Sequence, residues 1–588
     1  MGRKRSSRDS DYAFENSRRR SSNGGSNKRS HSYETRMFIN NRYVNASQGN
    51  TFDDVSPTTG RLITTVEAGT KEDVDFAVKC ARKAFKSWSK EKPDNISKML
   101  FKLADLFDEH KEKIATLDVI DMGKPYAHML GVDMRLAIEC LRYFAGWTDK
   151  HCGKTVPNSG GCFTYTRMEP FGVCGCIVPW NFPILMLVWK LAPCIACGNC
   201  MIIKPAEQSP LSAIYIGKLI VEAGFPPGVI NIVPGMGPTA GAALSSHMDI
   251  DKIAFTGSTE VGRLIMQAAA KSNLKDISLE LGGKSPLIVC DDFPVDEAVN
   301  IAKTGLFFNQ GEVCCASSRI YVQSDIYDDF VEAATEMART CKVGDPFDED
   351  TFFGAVVDQD QYRKIQKFLK LGVEEGATLC CGGKAKNGRG FYIEPTVFSD
   401  VDESMAIGKE EIFGPVMSIF RFDTVQEALE RANDNYYGLA AGILTKDLDV
   451  AINVAHELKA GTVWINTWNE FYSNMPFGGY KQSGIKRDLG EYALDTFSQV
   501  KTVIMKLSPM SKSSDFNMNR PSRSKLYHLS AEEAAEYLTI NGFGQYKSNF
   551  LREDVSGADL SDLDNEDLKD LGVSKMGHRK AMLRLFAN

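Results

Sequence analysis

The chain has 588 residues, 43% hydrophobic and 25% charged, with a formal net charge of −7. That balance fits a soluble globular protein of several domains and gives no general reason to expect nucleic-acid binding, although an average can hide a basic end. No run approaches about eighteen uninterrupted apolar residues and no apolar core follows the basic N-terminus, so neither a membrane span nor a secretory signal is expected. Fifteen cysteines, an odd number in a long chain, suit free thiols better than a disulfide framework, and a reducing, cytoplasmic setting is expected.

Residues 1–36 are rich in Ser, Arg, Lys, Asn and Gly and have almost nothing apolar to bury, which predicts a disordered tail. Arg18-Arg19-Arg20-Ser21-Ser22 is read first as a solvated run, with nuclear import or phosphorylation by a basophilic kinase as alternatives. Met1-Gly2 with Ser6 matches a minimal myristoylation pattern, but Arg3 directly after the glycine argues against it. Asp9, Asp11 and Glu15 argue against a mitochondrial presequence, a class poor in acids.

From Met37 the pattern alternates strands and amphipathic helices. Thr70 to Asp73, followed by Val74, Ala77, Val78, Ala81 and Phe85, predicts a capped helix with one apolar face. Short apolar runs at Val229–Val233, Lys252–Phe255 and Ser285–Val289 alternate with helical segments and predict an open, mostly parallel sheet. The body is therefore α/β.

The motifs follow in order: Val178-Pro179-Trp180-Asn181-Phe182-Pro183, Ile203-Lys204-Pro205-Ala206-Glu207, Phe255-Thr256-Gly257-Ser258-Thr259-Glu260, Leu279-Glu280-Leu281-Gly282-Gly283-Lys284, and Glu410-Glu411-Ile412-Phe413-Gly414-Pro415. Between the last two lies Phe308-Asn309-Gln310-Gly311-Glu312-Val313-Cys314-Cys315, a largely polar setting in which a thiol has more use as a nucleophile than as packing. From about Met37 to Leu507 the chain resembles the NAD-dependent aldehyde dehydrogenases, in particular the cytosolic, mitochondrial and retinal-type group. The resemblance implies a Rossmann-like NAD-binding domain (about 37–151 and 171–282), an α/β catalytic domain (about 283–482) and a β oligomerisation arm (about 152–170 and 483–507) that assembles a homotetramer.

It also implies roles. Cys314 matches the nucleophile, Asn181 the donor that works with the Cys314 N–H on the oxyanion, and Glu280 the base that activates water to release the acid. Lys204 and Glu207 match the residues on the adenosine ribose, where a carboxylate would repel a 2′-phosphate and so select NAD. Gly257, Ser258 and Gly262 open a helix where pyrophosphate is expected. Glu411 and Phe413 match the nicotinamide side, with Val178, Trp180 and Leu281 also expected against the cofactor. Leu136, Phe182, Met186, Trp189, Val313, Phe471 and Phe477 match the substrate tunnel. Retinal-type enzymes tend to have small residues where this chain has Leu136 and Phe471, so a narrow tunnel for small aliphatic or aromatic aldehydes is expected, with a retinal-specific enzyme as the alternative. Cys315 is read as a spectator. Cys194, Cys197 and Cys200 have overlapping Cys-x-x-Cys spacings, but they lie in an apolar stretch, and core packing is expected with no metal.

Residues 508–525 read as a flexible linker rich in Ser, Pro, Asn and Lys. Residues 526–588 predict an all-α module of about five short helices, the first with Ser530 and Glu533 as a capping box. From Tyr537-Leu538 and Gly542-Phe543 to Leu571-Gly572-Val573 and Gly577-His578-Arg579, this module resembles a sterile alpha motif (SAM) domain, with Ala534 and Asn541 standing where larger apolar residues are usual. Glu553 to Asp570 carries eight acids and one lysine, whereas Lys575, Arg579, Lys580 and Arg584 form a basic end. Complementary surfaces of this kind suit self-association or a protein partner. The acids oppose an RNA contact, and a scaffold or RNA-binding protein with a silent dehydrogenase fold remains the alternative function.

Overall fold

The computed structural model describes residues 33–386, 388–507 and 526–587. The expectations for the tail before residue 33 and for 508–525 lie outside the described residues. The described chain divides into two compact units, one comprising residues up to Val156 with Tyr165–Val503, the other Pro157–Thr164 with residues from Ile504 onward.

The first unit is built on two sheets. Five parallel strands form the centre of the first, in the spatial order Asp276–Glu280, Lys252–Thr256, Val173–Ile177, Cys200–Lys204, Ile230–Ile232. Most of their residues are buried, and the strands between helices read as continuous apolar runs, as parallel strands covered on both faces do. Met37–Ile39 and Arg42–Val44 extend one edge antiparallel, and Gly484–Ile485 closes the other. The second sheet has six parallel strands, Thr396–Ser399, Val416–Phe422, Arg319–Gln323, Pro286–Val289, Ala440–Leu444 and Thr462–Ile465, with Thr378–Cys381 antiparallel at one edge.

Helix Lys71–Trp88 starts after Thr70 as its sequence predicts: the Asp73 carboxylate accepts from Thr70 N–H at 2.9 Å, and Val74, Ala77, Val78 and Ala81 are buried. Helix Pro183–Ala196 is buried on every side, so Cys194 sits in the core; Cys200 begins the next buried strand, and the Cys197 thiol donates to the Leu494 carbonyl. Of the two stretches expected to form an arm, Cys162–Pro170 and Ser498–Lys506 pair as a two-stranded sheet, while Gly484–Ile485 belongs to the first large sheet instead.

Within the second unit, five α-helices, Ala531–Leu538, Lys547–Arg552, Gly557–Leu560, Asn565–Asp570 and Met576–Phe586, enclose a core that includes Leu538, Phe550, Leu560, Leu568, Val573 and Met582. The Ser530 hydroxyl accepts from Glu533 N–H at 3.2 Å and the Glu533 carboxylate accepts from Ser530 N–H at 2.9 Å, a complete capping box. Ala534 is fully buried, and the Asn541 amide donates to the Tyr537 carbonyl as the first helix ends. The basic end is less basic than its sequence suggests. Arg579 is only 8% exposed and its guanidinium donates to Asn565 Oδ1 and to the carbonyls of Val573 and Ser574, so it is an internal brace and not a surface charge.

Candidate active site

The order of the first sheet places a topological switch between Val173–Ile177 and Lys252–Thr256: from the former the chain winds outward in one direction, and it returns to start the latter on the other side. Ligands of such sheets bind outside the carboxyl ends at that point. The segments leaving those two ends are Val178–Phe182 and Gly257–Ser258. Ser258 caps helix Thr259–Lys271, its hydroxyl accepting from Val261 N–H at 3.2 Å.

A cavity of about 570 Å³ opens there. Trp180, Gly257, Ser258, Leu281, Glu411 and Phe413 line it, and so do Leu136, Phe182, Met186, Trp189, Val313, Phe471 and Phe477; Asn181 and Cys314 line it too. Residues predicted for the cofactor and for the tunnel thus share one space with the thiol. The aromatic wall is interlocked edge to face, with Trp189–Phe477 centroids 5.7 Å apart and Phe471–Phe477 5.4 Å apart. Trp180 meets Phe413 at 5.3 Å and 90°. Val178, Lys204, Glu207, Gly262 and Glu280 are not among the lining residues.

Asn309, Gln310 and Gly311, just ahead of Cys314, are all left-handed, with φ of 50°, 55° and 72°. Glycine is required at the third position, because a Cβ would lie 2.2 Å from the Gly414 carbonyl oxygen. The Asn309 amide donates to the Asn181 carbonyl at 3.0 Å and to the Glu312 carbonyl at 3.2 Å, and the Asn181 amide donates to that same Glu312 carbonyl at 2.8 Å. The loop of Asn181 and the loop of Cys314 are therefore tied together. Trp468 Nε1 donates to the Cys315 carbonyl at 3.2 Å on the far side. The Cys314 thiol is pushed well above its ordinary range by a hydrogen bond with the buried Cys315 thiol, then by burial, with the charge of Glu411 acting the same way.

Glu280 ends its strand 5% exposed and faces Gly478, whose Cβ, if present, would lie 2.5 Å from Glu280 Oε1; its Oε2 has no hydrogen-bond partner. Burial pushes its carboxyl well above the usual range, Asp488 adds to this, and Lys190 opposes it. Glu411 Oε1 accepts from Gly283 N–H at 2.9 Å, and burial raises its carboxyl as well. The Gln361 amide donates to the carbonyls of Ile412 and Phe413, at 3.0 and 2.6 Å, and fixes that loop.

The residues present fit a dinucleotide. Lys204 Nζ lies 2.8 Å from Glu207 Oε2, leaving Glu207 Oε1 with a long contact from Gly237 N–H at 3.4 Å, so an acceptor stands at the carboxyl edge of the sheet where ribose hydroxyls can reach it. The helix N-terminus at Ser258 suits pyrophosphate. Gly262 packs beneath Leu281, where a Cβ would meet Leu281 Cδ2 at 2.7 Å.

Sequence reading missed Asn309, Gln361, Lys190 and Asp488, and also Phe308, Thr304, Trp468 and Tyr472 in the cavity lining. Phe308 and Asn309 stood inside the thiol-bearing run; the others carry no local signal. Among the described residues no cluster of three or more His, Cys, Asp or Glu could hold a metal ion.

Residues 43–503 match the aldehyde dehydrogenase family, and residues 528–585 match the SAM domain (sterile alpha motif). The chain is 53% identical over 474 residues to the mitochondrial aldehyde dehydrogenase of Homo sapiens, covering 80% of this chain and 92% of that protein. It is 52% identical over 476 residues to human retinaldehyde dehydrogenase 3, covering 80% and 93%. The NAD+ complex of aldehyde dehydrogenase from Bacillus cereus superposes with a TM-score of 0.80 at 46% identity, covering 81% of this chain and 97% of that one. A switch-point crevice beside a capped helix N-terminus, and a thiol in the same cavity, now stand beside these likenesses: the chain belongs to the aldehyde dehydrogenase family, as an NAD-dependent enzyme with a C-terminal SAM domain.

Proposed function

We propose that Cys314 attacks the aldehyde carbonyl and that the resulting oxyanion is held by the Asn181 amide and the Cys314 N–H. The observation that carries this reading is the single cavity in which Cys314 stands among Glu411, Phe413 and the aromatic wall. The Asn181 amide has two N–H groups; one is committed to the Glu312 carbonyl, which leaves the second for the oxyanion. When bound, NAD supplies the hydride acceptor that turns the thiohemiacetal into a thioester. Lys204 and Glu207 would hold its adenosine ribose, Gly257, Ser258 and Gly262 the turn at the pyrophosphate, and Glu411 and Phe413 the nicotinamide side, with Val178, Trp180 and Leu281 against it. Glu280 then turns from Gly478 toward the thioester and takes a proton from the attacking water, releasing the acid and returning the thiol.

The bulk of Leu136, Phe471 and Phe477 supports small aliphatic and aromatic aldehydes as substrates. NADH-coupled turnover of acetaldehyde, benzaldehyde and all-trans-retinal tests this, with kcat/KM for retinal expected about 100-fold lower; comparable values for all three would reject it. Cys314→Ala is expected to abolish NADH production, and a turnover-competent variant would reject the nucleophile.

The same reading assigns the C-terminal module to assembly with a second copy. Its acids face solvent, and although Asp559 and Asp564 also cap helices, they remain charged and complementary to Lys575 and Lys580. Separately, Leu264 and Leu274, at 57% and 80% exposure, and Val500 and Ile504, at 62% and 68%, leave apolar surface for a homotetramer to cover. The same reading puts the protein in the cytoplasm, the reducing setting that its fifteen cysteines suit. Light scattering of Lys580→Glu against the unaltered chain tests the assembly: smaller particles are expected, and equal size rejects it.

A further inference from the structure

Behind the tunnel wall lies a charge pair with no part in the chemistry above. Lys124 follows Gly123, which ends helix Lys111–Met122, and Asp133 lies on a π-turn, Met129–Met134. Both side chains are fully buried, with Lys124 Nζ 2.8 and 2.6 Å from the two Asp133 oxygens. The same Nζ lies 3.7 Å from the centroid of the Phe182 ring and 5.2 Å from that of Phe308. Those rings stack on one another, centroids 6.3 Å apart and planes at 25°, and both line the cavity. Phe182 adjoins Asn181, and Phe308 adjoins Asn309.

A buried ion pair is a poor way to stabilise a core, since desolvating two charges offsets their attraction and apolar residues of the same volume do as well or better. An ammonium facing an aromatic ring away from water, by contrast, holds that ring in place. The π-turn supports this use of the pair: it turns Asp133 inward to Lys124 while Val132 and Leu136, on either side, line the cavity.

We propose that Lys124, neutralised by Asp133, is a positioning residue that sets aldehyde specificity by fixing the stacked rings of Phe182 and Phe308 in the part of the cavity lining that planar substrates meet. This rests on the reading that the aldehyde occupies this cavity. A benzaldehyde ring packs against an aromatic lining held in this way, whereas acetaldehyde is too small to depend on it.

The test uses the full chain with benzaldehyde and acetaldehyde as paired substrates. Lys124→Met with Asp133→Leu removes both charges and leaves neither partner orphaned. Lys124→Gln with Asp133→Asn removes the charges while keeping a hydrogen bond, as a second version should the first not fold; NADH affinity equal to that of the unaltered chain certifies each. Either neutral pair is expected to raise KM for benzaldehyde about tenfold, with kcat and both acetaldehyde constants within about twofold. Lys124→Arg, which keeps a cation against the rings, is expected to restore most of the benzaldehyde KM. An unchanged benzaldehyde KM overturns the proposal, and so does an equal loss on both aldehydes, which marks the pair as structural only. Failure of the unaltered chain to oxidise either aldehyde would instead overturn the reading of the cavity.

Discussion

Lys190 and Asp488, 298 residues apart in the chain, form a buried ion pair whose two charges act in opposite senses on Glu280. Burial alone pushes the Glu280 carboxyl upward, Asp488 pushes it further and Lys190 pulls it back. The base proposed for thioester hydrolysis is thus tuned by two residues that no local motif announces.

Asp488→Asn removes the negative charge and leaves Lys190 in place. The Glu280 carboxyl then ionises at lower pH, and a base that works when deprotonated becomes active at lower pH. The rising limb of kcat against pH is expected to move in the acidic direction. Breaking the pair should also cost about 3–5 kcal/mol of stability, visible as a lower Tm. A limb that stays where it was would separate Asp488 from the base.

The Cys314 thiol is raised first by its hydrogen bond with Cys315. A raised thiol holds less thiolate at any given pH, so alkylation of the NAD-free enzyme by iodoacetamide should be slow at neutral pH and still accelerating above the ordinary thiol range. Cys315→Ala removes the leading cause and should speed alkylation at pH 8. The pH dependence of the inactivation rate checks both, and a plateau below pH 8 in the unaltered enzyme would contradict them.

Asn309→Ala deletes the donor shared by the Asn181 and Glu312 carbonyls and puts alanine at a left-handed φ of 50°. Direct loss of an oxyanion donor costs about 10²–10³ in rate; loss of a tie that aims one should cost about tenfold in kcat. Affinity for NADH, titrated by fluorescence, should hold. Parallel loss of both would mean that the loop had simply collapsed.

Arg579→Leu leaves the buried Val573 carbonyl without its donor and takes a second bond from the Ser574 carbonyl, a loss of about 1–3 kcal/mol in a small module. Limited proteolysis of the full chain should then cut within 526–587 while NADH production persists. Lys580→Glu, on the exposed face, should leave that digestion pattern unchanged.

Much of this architecture could be read from residues alone. Val229–Val233 and Lys252–Phe255 contain buried parallel strands, Thr70 and Ser530 begin helices, and the residues named for the tunnel meet in one cavity with Cys314. What could not be read depends on contacts across long sequence separations. Lys190 looks like one polar residue in an apolar helix until Asp488 arrives from the far end of the chain. Arg579 is the local exception: it reads as surface charge although the Val573 and Ser574 carbonyls stand only six and five residues before it, because residue types do not record the turn that aims those carbonyls at it. Glu280 was identifiable as a type of residue in a motif, but its turn toward Gly478 is a rotamer, which no motif records.

The three left-handed residues before Cys314 carry a mechanical consequence. Non-glycine residues in that conformation are strained, and here they persist because Asn309 is bonded to both loops and Gln310 to the Ala355 carbonyl. Cys314 and Asn181, proposed as nucleophile and oxyanion donor, are therefore held in one hydrogen-bonded frame. The rearrangement that a slack loop would demand at every turnover has been completed once, during folding.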